Sequence, residues 1–80
     1  MEISVQISLY PLGKEHLSQD ISGFVELLRA KGLRCEVGRM STVLSGNSDD
    51  VFGALKEAYS FMASRGACVM VSTISNACPV

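Results

Sequence analysis

Tryptophan is absent, histidine occurs once, as His16, and proline occurs only twice in the 80 residues. One imidazole among three scattered cysteines gives no zinc-ligand spacing, and an H-E-x-x-H pair cannot be built. Glycine-rich phosphate loops are missing as well: neither G-x-G-x-x-G nor the P-loop pattern occurs. Charge of one sign is also lacking, since seven basic and eight acidic residues give a net charge of -1. The two signs alternate along the chain, so no basic patch is available to displace phosphate counterions, and a nucleic-acid partner is not expected. No apolar run approaches the ~18 residues of a membrane span, and no charged start leads into an apolar run and a cleavage site. Neither a signal peptide nor a membrane partner is expected.

Cys35, Cys68 and Cys78 are odd in number and show no C-x-x-C pairing. Without a secretory signal they read as reduced thiols in a cytoplasmic protein. A redox or nucleophilic role would need a neighbouring base, and His16 lies far away in sequence.

What the chain does have is apolar surface: 48% of its residues are hydrophobic, with a mean hydropathy of +0.28. A domain of this size buries only roughly 60–65% of its unfolded surface. More apolar surface is present than one such domain hides easily, which points to a homodimer or homotetramer with the interface as an extended core.

Taken in order, Ile3, Val5, Ile7 and Leu9 alternate with Glu2, Ser4, Gln6, Ser8 and Tyr10, the pattern of a half-buried strand ended by Pro11 and Gly13. Leu17, Ile21, Phe24, Val25 and Leu28 recur at helical spacing, with Gly32 as the exit, so a helix is predicted from His16 to Lys31. Gly23 inside it suggests a close approach by the sheet or by another subunit. Leu33, Cys35 and Val37 make a second strand, Gly38 and Arg39 a turn, and Met40 to Ser45 a third strand. In that strand Met40, Thr42 and Leu44 share one face, and Ser41, Val43 and Ser45 the other. Gly46 and Asn47 are expected to turn the chain, with Ser48 capping a second helix and Asp49 and Asp50 in its first turn. Val51, Leu55, Ala58 and Met62 form its apolar stripe, widened by Phe52, Ala54 and Phe61, and Arg65 closes its last turn. The run from Cys68 to Ile74, rich in β-branched and apolar residues, reads as a final strand buried on both faces.

Strand, helix, strand, strand, helix, strand is the ferredoxin-like βαββαβ order of an α+β fold in a single domain spanning residues 1–80. It places the first and third strands in the centre of a four-stranded antiparallel sheet with both helices on one face. Gln6, Ser8 and Tyr10 then look out over the uncovered face.

Catalytic pairs are hard to assemble. Glu15, Asp20, Glu26, Glu36, Asp49, Asp50 and Glu57 all fall at predicted exposed or capping positions, and nothing ties a serine to His16 and an acid. No enzymatic activity, metal or cofactor is expected. The strands instead carry neutral hydrogen-bonding groups: Gln6, Ser8, Ser41, Thr42, Thr73, Ser75 and Asn76, with Tyr10 as an aromatic surface. Such groups suit a neutral or weakly cationic heteroaromatic ligand, whose ring nitrogens are read by amides and hydroxyls.

The segments Ser8-Leu9-Tyr10-Pro11-Leu12-Gly13, Glu36-Val37-Gly38-Arg39-Met40-Ser41-Thr42-Val43, the Gly46 turn before an acidic helix start, and Ser72-Thr73-Ile74-Ser75-Asn76-Ala77-Cys78-Pro79 resemble the YkoF-like thiamine- and hydroxymethylpyrimidine-binding family. Together they span nearly the whole chain. The resemblance implies a ferredoxin-like domain, assembled as a dimer, a tetramer or tandem repeats, that binds thiamine or its pyrimidine moiety without turning it over. Ser8, Tyr10, Met40, Ser41, Thr42, Thr73, Ser75 and Asn76 lie in the matching segments and are the candidate ligand-binding residues. Arg39 stands where the resemblance leads one to expect proline, and a closure of the pocket beyond Pro79 would have to come from another subunit.

These observations favour binding of thiamine or hydroxymethylpyrimidine near an interface where the open faces of two sheets pack together. A structural or regulatory oligomerisation module that senses another metabolite is the alternative. An acylphosphatase-type enzyme shares the topology, but the loop from Tyr10 to Glu15 offers Lys14 and no arginine to cradle a phosphate.

Overall fold

The computed structural model describes residues 1–12, 17–38 and 41–77, with the backbone alone at 17 and 18. Its elements run β1 (Glu2–Pro11), α1 (Leu17–Ala30), β2 (Arg34–Val37), β3 (Thr42–Asn47), α2 (Ser48–Ala63) and β4 (Cys68–Ser75). Every strand pairing is antiparallel, and the order across the sheet is β2-β3-β1-β4. This is the ferredoxin-like arrangement, with β1 and β3 central.

The period of two in β1 decides which face is wet. Ile3, Val5 and Ile7 are buried with Leu44 of β3, Phe24 and Leu28 of α1, and Val51, Ala54, Leu55, Ala58 and Met62 of α2 in one core. Both helices therefore lie on the odd-numbered side of β1. The register sets the rest: Cys35, Leu44, Val5 and Ile74 form one row across the helix-covered face, and Glu36, Val43, Gln6 and Thr73 the next row on the open face.

Several boundaries move. Gly46 and Asn47 do not turn the chain but continue β3, because Ile3 and Glu2 stand opposite them as ladder partners. The N-cap of α2 is consequently Asn47, whose Oδ1 accepts a hydrogen bond from the Asp49 N–H at 3.1 Å, and Ser48 is already helical. The helix ends at Ala63 rather than at Arg65. Arg65 instead turns back to α1, where its Nε donates to Asp20 Oδ1 at 3.1 Å and its guanidinium sits 5.0 Å from the Phe61 ring centre. Asp20, expected at an exposed or capping position, is 7% exposed. The strand expected to be buried on both faces is half-covered by α2 on one side only: Val69, Val71 and Thr73 are exposed, because no layer lies over the open face. Phe52, expected to widen the apolar stripe of α2, is 49% exposed. The predicted start of α1 at His16, the Arg39 turn residue and the start of the third strand at Met40 lie outside the described residues.

Gly23 does mark a close approach, made by α2 rather than by the sheet or a second subunit. A Cβ there would lie 2.7 Å from Phe61 Cζ, so glycine lets the two helices meet over that ring. Gly32, at φ 75°, gives α1 its left-handed exit.

Candidate functional site

The candidate residues split between the two faces of the sheet, and the pleat is the reason. Ser8, Tyr10, Thr73 and Ser75 lie on the open side, since Tyr10 pairs with Val69, Gln6 with Thr73 and Ser4 with Ser75. Ser41 joins them, because its Oγ accepts a hydrogen bond from Gln6 Nε2 at 3.3 Å. Thr42, opposite the buried Ile7, belongs to the helix-covered side. Met40 lies outside the described residues.

They are also spread along the strands. From Val69, opposite Tyr10, to Asn76 is about 23 Å at ~3.3 Å per residue, so one small ligand cannot touch both ends within a single copy. Two of the polar groups have local partners: Ser75 Oγ accepts from the Ala77 N–H at 3.0 Å, and Asn76 Nδ2 lies 3.9 Å from Met1 Sδ. The hydroxyls of Ser4 and Ser45 are 3.4 Å apart at the same end of the sheet.

The other end holds a cleft. Ser8, Ser41 and Thr42 line it together with Leu9, Ile21, Phe24, Val25 and Val37, at the mouth formed by the first turns of α1 and the β2–β3 turn, and its volume is about 190 Å³. Thr42 contributes a hydroxyl on the helix side; Ser8 and Ser41, whose side chains belong to the open face, contribute to its sheet wall. No charged side chain is among these lining residues. Drug-sized ligands occupy roughly 300–1,000 Å³, so this cleft takes a single uncharged ring rather than a long or phosphorylated molecule. Ile21 and Val37 are 40% and 52% exposed, apolar side chains at its rim with nothing over them. Sequence reading missed them because each sat in a periodic pattern that read as core; only their exposure distinguishes them.

A larger groove of about 870 Å³ runs between the helices, bordered by Leu27, Lys31, Gly53, Lys56, Glu57 and Phe61. It shares no residue with the candidate set, and Lys31 and Glu57 form an ion pair at its side.

On the open face Tyr10, Val69 and Val71 are exposed together, at 54%, 46% and 53%, with Tyr10 and Val69 direct cross-strand partners. No group of three or more potential metal ligands occurs among the described residues. No helix among them is long and apolar enough to cross a membrane.

The thiol of Cys35, on the helix side of β2, is pushed above its ordinary value of 9.0 by burial, an effect partly offset by the charge of Arg29 and by its hydrogen bond. A thiol held neutral in this way is a poor nucleophile.

Residues 5–75 match the family described as "Thiamine-binding protein". A curated relative, UPF0045 protein MJ1052 of Methanocaldococcus jannaschii, is 33% identical over 60 residues, which is 74% of this chain and 60% of that protein. The chain thus matches about three-fifths of the length of this relative. A crystal structure of the hypothetical protein MJ1052 superposes with a TM-score of 0.84 at 28% identity, covering 94% of this chain and 79% of that one. A putative thiamine biosynthesis/salvage protein of Thermotoga maritima superposes with a TM-score of 0.82 at 21% identity, covering 94% of this chain and 83% of that one. At that identity the likeness speaks for the fold.

Proposed function

Because this chain belongs to the thiamine-binding protein family, we propose that it binds thiamine or its hydroxymethylpyrimidine moiety without transforming it. The observation that carries this reading is the uncharged, ring-sized cleft beside α1, at which Ser8, Ser41 and Thr42 meet. Leu9, Phe24 and Val25 supply apolar walls for a pyrimidine and its methyl group, and the Thr42 hydroxyl supplies a donor and acceptor for a ring nitrogen or an amino group. The remainder of the ligand leaves past Ile21 and Val37 toward solvent or toward a second sheet stacked on the open face, where Tyr10 and Thr73 wait.

Calorimetric titration with thiamine and with hydroxymethylpyrimidine tests the reading. Losing one net hydrogen bond of about 1–1.5 kcal/mol, Thr42→Val should weaken binding roughly ten-fold, while Thr73→Val leaves it within two-fold. The reverse order moves the ring to the open face. No heat and no thermal stabilisation at millimolar ligand would remove the proposal, since any real binder stabilises the fold by mass action.

A second reading, an oligomerisation module responding to another metabolite, draws on the exposed Tyr10, Val69 and Val71. It requires both threonine variants to leave thiamine behaviour unchanged and to alter assembly.

A further inference from the structure

The two edges of the sheet are built differently. β2, at one edge, is four residues long and carries Arg34 and Glu36, the short charged strand by which proteins discourage edge pairing. β4, at the other, is eight residues long and has no charge: Cys-Val-Met-Val-Ser-Thr-Ile-Ser. Large hydrophobics are exposed on both of its sides, Val69 and Val71 toward the open face and Ile74 toward the helices.

The direction of its backbone groups follows from the register. The Leu12 N–H donates to the Ala67 carbonyl at 3.0 Å, so this pair and, at a period of two, every odd residue of β4 turns its N–H and C=O toward β1. The even residues Cys68, Met70, Ser72 and Ile74 turn theirs outward, where no strand lies among the described residues. The Tyr59 hydroxyl, 3.4 Å from the Cys68 carbonyl, donates to the first of these. Met70, Ser72 and Ile74 keep an open hydrogen-bonding edge. Ser72 is singular in a second way: its Oγ is buried and has no hydrogen-bond partner among the described residues, which is costly to leave so.

We propose that β4 pairs antiparallel with β4 of a second copy, with Ser72 opposite the partner's Ser72, so that two four-stranded sheets become one continuous sheet. A two-fold axis through Ser72 sets Met70 against the partner's Ile74 and the partner's Met70 against Ile74. These pairs use the outward backbone groups of Met70, Ser72 and Ile74, and no others. Centring the axis on Val71 would instead need Cys68 to pair with the partner's Ile74, and the Cys68 carbonyl already takes the Tyr59 hydroxyl. The chosen register also brings the two Ser72 side chains together, so each buried hydroxyl, turning about its Cα–Cβ bond, gains the other as partner. Copies of net charge -1 meeting along an uncharged strand repel little. The interface is independent of the ligand reading, and it leaves the open face free for a second stacking contact.

Sedimentation of the whole chain and hydrogen exchange followed by NMR test it. Wild-type chain at micromolar concentration should sediment as an oligomer, with slow exchange at the Met70, Ser72 and Ile74 amides that is lost on dilution. Ile74→Lys, at a site already 46% exposed, should halve the sedimenting mass with the circular dichroism unchanged. Tyr10→Lys, on the open face, should leave those three amides protected. A monomeric wild type overturns the proposal, as do three outward amides that exchange freely in the oligomer. Because the exchange experiment uses the unaltered chain, it decides the matter even where Ile74→Lys fails to fold.

Discussion

Cys35 shows how much of a residue's chemistry depends on what packs over it. The thiol lies half-buried on the helix side of β2, where desolvation penalises the thiolate and Arg29 of α1 returns part of that cost. The folded thiol ionises above 9.0, whereas an unfolded one ionises at its ordinary value. Its contribution to stability is therefore complete below the unfolded pKa and disappears as pH rises through the folded pKa. In a chain with Cys68 and Cys78 replaced by serine, alkylation of Cys35 should show a midpoint above pH 9.0. The urea midpoint of that chain should fall more steeply through the same range than when Cys35→Ser is added. An alkylation midpoint at or below the ordinary value would mean that Arg29 outweighs burial.

At the scale of elements, the two helices are joined by a chain of unlike contacts: Asp20 to Arg65, Arg65 over Phe61, and Phe61 into the space left by Gly23. Alanine is favoured over glycine by about 0.5–1 kcal/mol within a helix. Here its methyl would stand 2.7 Å from the Phe61 ring, and overpacking typically costs about 1–3 kcal/mol. Gly23→Ala should thus lower stability by about 1 kcal/mol, measured by urea denaturation. The same change in a Phe61→Leu background should be neutral or stabilising, because the shorter side chain withdraws from the new methyl. A cycle showing no coupling between the two positions would place the helix contact elsewhere.

For the molecule as a whole, apolar surface is the governing quantity. The core reaches from Ile3 to Met62, yet Tyr10, Val69, Val71 and Ile74 remain exposed around β4 and Ile21 and Val37 around the cleft. Partners that bind only the folded state stabilise it in proportion to the logarithm of their concentration. The thermal midpoint of the chain without ligand should therefore rise with protein concentration, by a few degrees over a hundred-fold range for a domain this small. A midpoint constant over that range would indicate that this surface stays open to water in the free protein.

The order of elements, the odd-numbered core face of β1, the stripe of α2 and the glycine exits were all legible in the sequence, because each is a local consequence of the period of a strand or helix and of backbone sterics. So was the resemblance that the match over residues 5–75 bears out. The Asn47 cap was not, since whether β3 ends at Ser45 or continues depends on Ile3 and Glu2 standing opposite. Nor was the burial of Asp20, which follows from Arg65 reaching across from α2. The candidate residues could be chosen by type and segment, but the pleat and register decided that Thr42 lies beneath α1, that Thr73 lies on the open face, and that Asn76 stands far from Tyr10. Which polar groups share a cleft, and which edge is left open, are properties of pairings between distant segments, and only the tertiary structure sets those.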